Sequence, residues 1–356
     1  LPLPVAEMDF EIAKPIRDIL GEMLKGSDTG YLGKIPELGI NLAKFAKARW
    51  GWELDPEQVF IATDVGVGMV EMARTVVNPG DSIMINSPVY HNMNNWIAEL
   101  KCKSYDAPLT KTGLHYTLDL DAVERGYKAG VKAHFLCNPH NPVGTVFNKE
   151  ELAALAELAK IYGVTVFSDE IHAPLSWVPF TPYLSLGQEA AATGVTITSS
   201  SKAWNTAGLK AGFLVTASDQ VRAKLKLLPE AMQWRASILG AHAMVAAYEQ
   251  GVGWLDQTVL QLQENLEHLR SEVANRLPQA RLYEMEATYL AWLDLGAYKI
   301  QDLQQAILKE AKVAVVAGSD HGIDDDYPGF VRFNFATSKP RITEAVRRIA
   351  ELCEGH

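Results

Sequence analysis

The sequence predicts an α/β fold: a mainly parallel, seven-stranded sheet between helices, with a smaller α+β unit beside it. Three observations predict it. Seven short apolar or β-branched runs recur from about residue 57 to 217. Amphipathic stretches separate several of them, and buried strands joined through helices pair in parallel because the crossovers cover both faces. After Asp219 the pattern turns helical, and only later does a second set of strands follow. At 356 residues the chain is too long for one small core. Two units are expected: a large one over 37–275, and a small one formed by 1–36 with 276–356.

The expected strands of the large sheet are Val59–Thr63, Ser82–Asn86, Lys103–Ala107, Ala133–Cys137, Val164–Ser168, Val195–Thr198 and Ala211–Thr216. The clearest helix is Asn148–Tyr162, where Asn148 and Glu151 have the spacing of a capping box. A long helix is expected over Trp254–Asn275, ended by Leu277-Pro278. The smaller unit takes strands near Arg281–Glu284, Tyr289–Leu295 and Phe330–Phe335, and helices near Gln301–Ala311 and Pro340–Cys353. The segment up to about Pro36 has no large-sheet pattern and is expected to pack on the smaller unit.

Composition narrows the function. With 48% apolar and 21% charged residues, the chain is of ordinary globular make-up. A net charge of −10 argues against a nucleic-acid partner, which needs a basic patch to displace counterions. No run approaches the ~18 apolar residues of a membrane helix, so no membrane partner is expected. Cys102, Cys137 and Cys353 are too few and too scattered for a disulfide framework or a zinc site, and no metal is expected. A cytoplasmic enzyme is the default expectation. The chain opens at Leu1 without a methionine, so its true start is expected to lie upstream.

The chemistry concentrates at strand ends, where open α/β sheets bind ligands. Lys202 closes Ser199-Ser200-Ser201-Lys202, just past a buried-looking run. A desolvated lysine beside positive charge has a lowered pKa and forms an imine readily. Ser199 could reach a phosphate, and Lys210 could add a point charge there. Asp169 ends the run Val164–Ser168 and, if half-buried, needs a partner; it could equally cap a helix. Asn141 lies in Asn138-Pro139-His140-Asn141-Pro142-Val143-Gly144, a proline-stiffened loop suited to aiming an amide at an oxygen anion. Lysine, aspartate and asparagine in this order are what pyridoxal phosphate requires: an imine-forming amine, a carboxylate for the pyridine nitrogen, and a donor for the phenolic oxygen.

Five weaker signals accompany these. Val65 and Gly66 lie at a strand-to-helix turn, where free backbone N–H groups would receive a phosphate. Tyr90, in Pro88-Val89-Tyr90, could stack on the pyridine face. His172 could approach the phenolic oxygen, orient Asp169, or be a plain core histidine. Arg332 is the one cation in an alternating apolar strand, either a bidentate receptor for a substrate α-carboxylate or half of a structural ion pair. Tyr31, in Thr29-Gly30-Tyr31, has no reading from composition alone.

Taken together, these motifs resemble the fold-type-I pyridoxal-phosphate enzymes of the class I/II aminotransferase superfamily, and within it the cystathionine β-lyase, or carbon–sulfur lyase, branch. Val5-Ala6-Glu7-Met8-Asp9-Phe10 is similar to that branch's opening motif, with Glu7 for the usual Asp. Ser168-Asp169-Glu170-Ile171-His172 is the most branch-specific piece, since typical aminotransferases carry tyrosine at the place of His172. Ser201-Lys202-Ala203-Trp204-Asn205 resembles the branch's lysine motif, with Trp204 for the customary phenylalanine, and Lys210 stands where many aminotransferases have an arginine. The resemblance implies Asn141 for the phenolic oxygen and Tyr90 for ring stacking. It also implies a homodimer with shared active sites, in which Tyr31 reaches the phosphate at the neighbouring subunit.

The expected activity is cleavage of L-cystathionine or related cysteine S-conjugates to a thiol, pyruvate and ammonia. Lys202 would act as the base, Asp169 would hold the electron sink in its protonated form, and Arg332 would receive the amino-acid carboxylate. An aminotransferase is the alternative, since it shares every one of these residues. A regulator using the same fold as a protein-binding surface is the second.

Overall fold

The central apolar runs become strands because their side chains are buried from both faces. In the computed structural model, which describes residues 1–323 and 326–355, the large sheet contains β1 (Val59–Ala62), β2 (Ser82–Ile85) and β3 (Lys103–Asp106). A hairpin of β4 (Thr110–Thr112) and β5 (His115–Thr117) follows, outside that sheet. The large sheet continues with β6 (Ala133–Cys137), β7 (Thr165–Asp169), β8 (Gly194–Thr198) and β9 (Gly212–Val215). Its order is β1-β9-β8-β7-β6-β2-β3. All neighbours are parallel except β9, which runs antiparallel to both β1 and β8. Every residue of β6 and β8 is buried, as a sheet covered on both faces demands.

The smaller sheet is antiparallel throughout, in the order β10 (Arg281–Leu282), β11 (Leu290–Asp294), β13 (Phe330–Asn334) and β12 (Val316–Ala317). The hairpin β4–β5 and the two-residue β12 carry no sequence signal, because strands this short show no period.

Six helices matter below: α1 (Lys14–Lys25), α2 (Val65–Arg74), α3 (Asn92–Glu99), α4 (Lys149–Tyr162), α5 (Ser200–Ala203) and α6 (Ile238–Gln250). The capping box of α4 forms as expected: Glu151 N–H donates to Asn148 Oδ1 at 2.9 Å, and Asn148 N–H to Glu151 Oε2 at 2.9 Å. The long helix after residue 251 spans Val252–Arg276.

The N-terminal segment divides between the two sheets. Leu3 N–H donates to Ala314 O, Asn334 N–H to Leu3 O, and Asp9 N–H to Ala336 O, so residues 1–9 follow the smaller sheet. Helix α1, expected there too, packs instead against α6.

Candidate active site

Strand register places the chemistry. Cys137, Asp169 and Ile197 are consecutive partners across β6, β7 and β8, so the three strands stop level with one another at one sheet edge. The chain leaves β6 into the Asn141 loop, β7 ends on Asp169, and β8 leads into α5 with Lys202. Asn141, Asp169 and Lys202 line one cavity of about 430 Å³, together with Val65, Gly66, Tyr90 and His172.

Asp169 is buried, with Oδ1 accepting from the Ile171 N–H at 3.1 Å. Burial raises its pKa to about 6, opposed by that N–H and by Lys202. Such a carboxylate is left short of a cationic partner. Behind it, Glu170 Oε1 accepts from Ser168 Oγ and Tyr183 N–H, both at 2.9 Å, and from Thr196 Oγ1 at 3.2 Å. Glu170 thereby ties the end of β7 to β8. The sequence reading passes it over because acid beside acid carries no pattern.

Lys202 is half-buried, and its Nζ donates to the Ala6 carbonyl at 3.0 Å. Burial and then the Arg332 guanidinium push the amine down to about 8, against the pull of Asp169 and Glu7. That is the environment an imine-forming amine or a general base requires.

Asn141 is aimed by a contact that sequence does not show. Arg332 Nη1 donates to Asn141 Oδ1 at 3.3 Å, which assigns the amide so that Nδ2, the donor, is free for the cavity. His140 lies between the carbonyls of Cys137 and Pro88, at 3.0 and 2.9 Å, and binds this loop to the one carrying Tyr90. Tyr90 forms part of the cavity wall, its hydroxyl accepting from Asn92 Nδ2 at 2.6 Å.

Several expected residues sit differently. Ser199 does not line the cavity: its hydroxyl donates to Ala211 O at 2.7 Å and caps α5 by accepting from Ser201 N–H at 3.1 Å. A hydroxyl at the residue just before a helix satisfies the nearest orphan N–H, and Ser201 takes its place in the lining. Lys210 lines the cavity but spends its charge on Asp64 Oδ2, at 3.3 Å. Arg332 is buried and does not line the cavity; its second contact is Nη2 to Pro4 O at 2.8 Å. His172 does not orient Asp169, whose Oδ1 is taken by Ile171. The imidazole packs edge-on against Tyr289, and burial, Lys202 and Arg332 lower its pKa to about 3, so it is neutral. Tyr31 is 90% exposed and outside this chain's own cavity.

The residues present fit pyridoxal phosphate. His172 Nδ1 and Arg332 Nε are buried without a hydrogen-bond partner, as donors and acceptors awaiting a polar group are. At the anion end, Val65 and Gly66 open α2, whose Asp64 cap takes only the Val67 N–H, at 2.8 Å. Gly66 itself is needed there, since a Cβ would come within 2.9 Å of the Trp96 ring on α3. Trp96 also lines the cavity, on an amphipathic helix whose sequence carries no site signal.

Comparison with known proteins agrees with this chemistry. The family model for aminotransferase class I and II matches residues 11–349. The cystathionine beta-lyase PatB of Bacillus subtilis is 31% identical, over 98% of this chain and 91% of that protein. The cystathionine beta-lyase of Corynebacterium glutamicum is 32% identical, over 99% of this chain and 93% of that protein. Among solved structures, cystalysin from Treponema denticola, which contains a pyridoxal 5'-phosphate cofactor, matches with a TM-score of 0.94 and 25% identity, over 100% of this chain and 91% of that one.

Proposed function

The chain belongs to the aminotransferase class I and II family, and from that premise we propose that it is a pyridoxal-phosphate-dependent carbon–sulfur β-lyase, cleaving L-cystathionine or related cysteine S-conjugates to a thiol, pyruvate and ammonia. The observation that carries this reading is the convergence of Lys202, Asp169 and Asn141 on one cavity that also holds His172. It joins the cystathionine beta-lyases that match nearly end to end.

Bound pyridoxal phosphate supplies the electron sink for the pair left when a bond to Cα breaks. Lys202 would hold it covalently, Asp169 would pair with its ring nitrogen, Asn141 Nδ2 would donate to its phenolic oxygen, and Tyr90 would cover a ring face. The N–H groups of Val65 and Gly66, with Ser201 and Lys210, would take the phosphate. Asp169, once paired with a protonated ring nitrogen, stays ionised and keeps that proton in place. Displaced from the cofactor by the substrate's own amine, Lys202 would be free to remove the Cα proton, and its burial beside Arg332 favours the neutral amine this needs. The Cβ–S bond would then break with both electrons leaving on sulfur, which takes up a proton, and water would hydrolyse the released aminoacrylate to pyruvate and ammonia. Arg332 stays charged despite burial, which lowers it only to about 10, and would orient the α-carboxylate.

The same reading takes the active form as a cytoplasmic homodimer, with a large unit over 37–275 on which α1 packs, and a small one from 276–356 joined by residues 1–9. The exposed Tyr31 supports a site completed by the neighbouring subunit. Three unpaired cysteines support a reducing compartment. Among the described residues no helix is long and apolar enough to cross a membrane.

The test is multi-turnover pyruvate release from cystathionine without an added keto acid. Elimination is redox-neutral and returns the cofactor unchanged. Transamination leaves the cofactor as its amine, so pyruvate stalling at one equivalent per site and resuming with a keto acid would establish an aminotransferase instead.

A further inference from the structure

Residues 4–8 form a strap whose carbonyls are all taken by side chains. Pro4 O accepts from Arg332 at 2.8 Å, and Val5 O and Glu7 O both accept from Asn334 Nδ2, at 2.7 and 2.6 Å. Met8 O accepts from Asn205 Nδ2 at 2.8 Å, while Met8 N–H donates to Asn205 Oδ1 at 3.0 Å. Ala6 O, at the centre, accepts two donors at 3.0 Å each: Lys202 Nζ and the Tyr289 hydroxyl.

We propose that Tyr289 is a positioning residue for the base: sharing the Ala6 carbonyl with Lys202, it fixes that oxygen and weakens it as an acceptor for the amine. This rests on the reading of Lys202 as the working base. Two donors on one carbonyl compete for its electron density, so the hydroxyl limits how firmly the oxygen can hold an ammonium. Tyr289 is fully buried, and burial pushes its phenol up, so it donates at every working pH. Its predecessor Thr288 has φ 67°, a left-handed backbone that β-branched residues rarely adopt. Strain of that kind persists where the surrounding structure needs the geometry it produces. The charged and titratable groups around Lys202 are Arg332, Lys210, Asp169, Glu7 and His172, and Tyr289→Phe removes none of them and keeps the ring that packs against His172.

Removing the hydroxyl leaves Ala6 O to Lys202 alone, which favours the charged amine. A hydrogen bond of ordinary net strength corresponds to an upward shift of ~0.5–1 pH unit in the Lys202 titration. Competitive acetylation of the full-length, cofactor-free protein across pH, with the Lys202 peptide quantified by mass spectrometry, reads this without any turnover. Tyr283→Phe is the control: it removes another buried tyrosine hydroxyl, one that bonds neither Lys202 nor the Ala6 carbonyl. The expected result is a raised Lys202 midpoint in Tyr289→Phe only, with the rising limb of kcat against pH in the loaded enzyme moving the same way. An unchanged or lowered midpoint, or the same shift in Tyr283→Phe, would overturn the proposal. A wild type inactive on S-conjugates would instead sink the lyase reading, since the acetylation result does not depend on the reaction.

Discussion

Replacing Asp169 by asparagine should move stability and turnover in opposite directions. Asp169 is 4% exposed, and burial raises its pKa from 3.8 to about 6. A carboxyl whose pKa is higher folded than unfolded makes the native state bind more protons than the unfolded one between those values. The penalty is therefore absent at low pH, grows as pH rises through about 4 to 6, and is complete above. A displacement of this size corresponds to about 3 kcal/mol at neutral pH. Asparagine keeps the oxygen that accepts from Ile171 N–H and sheds the buried charge. The cofactor-free Asp169→Asn protein should thus be ~1–3 kcal/mol more stable than cofactor-free wild type at pH 7.5, with the gap closing near pH 4. Denaturant melts at both pH values measure it. In the loaded enzyme the amide cannot hold the ring nitrogen protonated, and turnover should fall by ~3 kcal/mol or more, about two decades, while cofactor occupancy changes far less. Wild-type turnover would make Asp169 a structural cap. An equal or lower stability at pH 7.5 would show that the carboxylate is not penalised by burial.

Three further outcomes are expected. Borohydride should fix the cofactor on Lys202, seen by peptide mapping, and Lys202→Ala should abolish the linkage; attachment at Lys210 would refute the assignment. Arg332→Lys should raise KM at least tenfold, because one ammonium cannot reproduce a guanidinium that reaches both Asn141 Oδ1 and Pro4 O; steady-state kinetics on cystathionine checks it, and an unchanged KM would remove Arg332 from substrate binding. Burial lowers His134 and His172 to about 3 and His140 to about 4, so the unfolded chain binds more protons below pH ~6.5 and stability should rise with pH from ~4 to ~6.5. Asp169 and Glu170, raised to about 6 and about 7, oppose this but are two groups against three, so a flat or falling thermal midpoint in the cofactor-free protein would contradict the buried histidines.

What the chain determines by itself is what acts over a few residues. The run Ala133–Cys137 is a strand over those same residues, and the Asn148–Glu151 capping box closes as its spacing predicts, since apolar burial and a side chain reaching its own backbone need no distant partner. The level of Asn141, Asp169 and Lys202 at one sheet edge was legible too, because each follows a strand of a parallel sheet. Tertiary structure alone decided the contacts that tune them. The Ala6 carbonyl under Lys202 is 196 residues away in sequence, Tyr289 is 283 from that carbonyl, and Arg332 is 191 from the amide it aims. Backbone acceptors have no sequence signature, and which long-range partners meet depends on how two sheets and a strap pack together. Ser199 shows the limit at short range: its hydroxyl could have faced a phosphate or its own helix, and the antiparallel entry of β9, which brings Ala211 O within 2.7 Å, turned it inward.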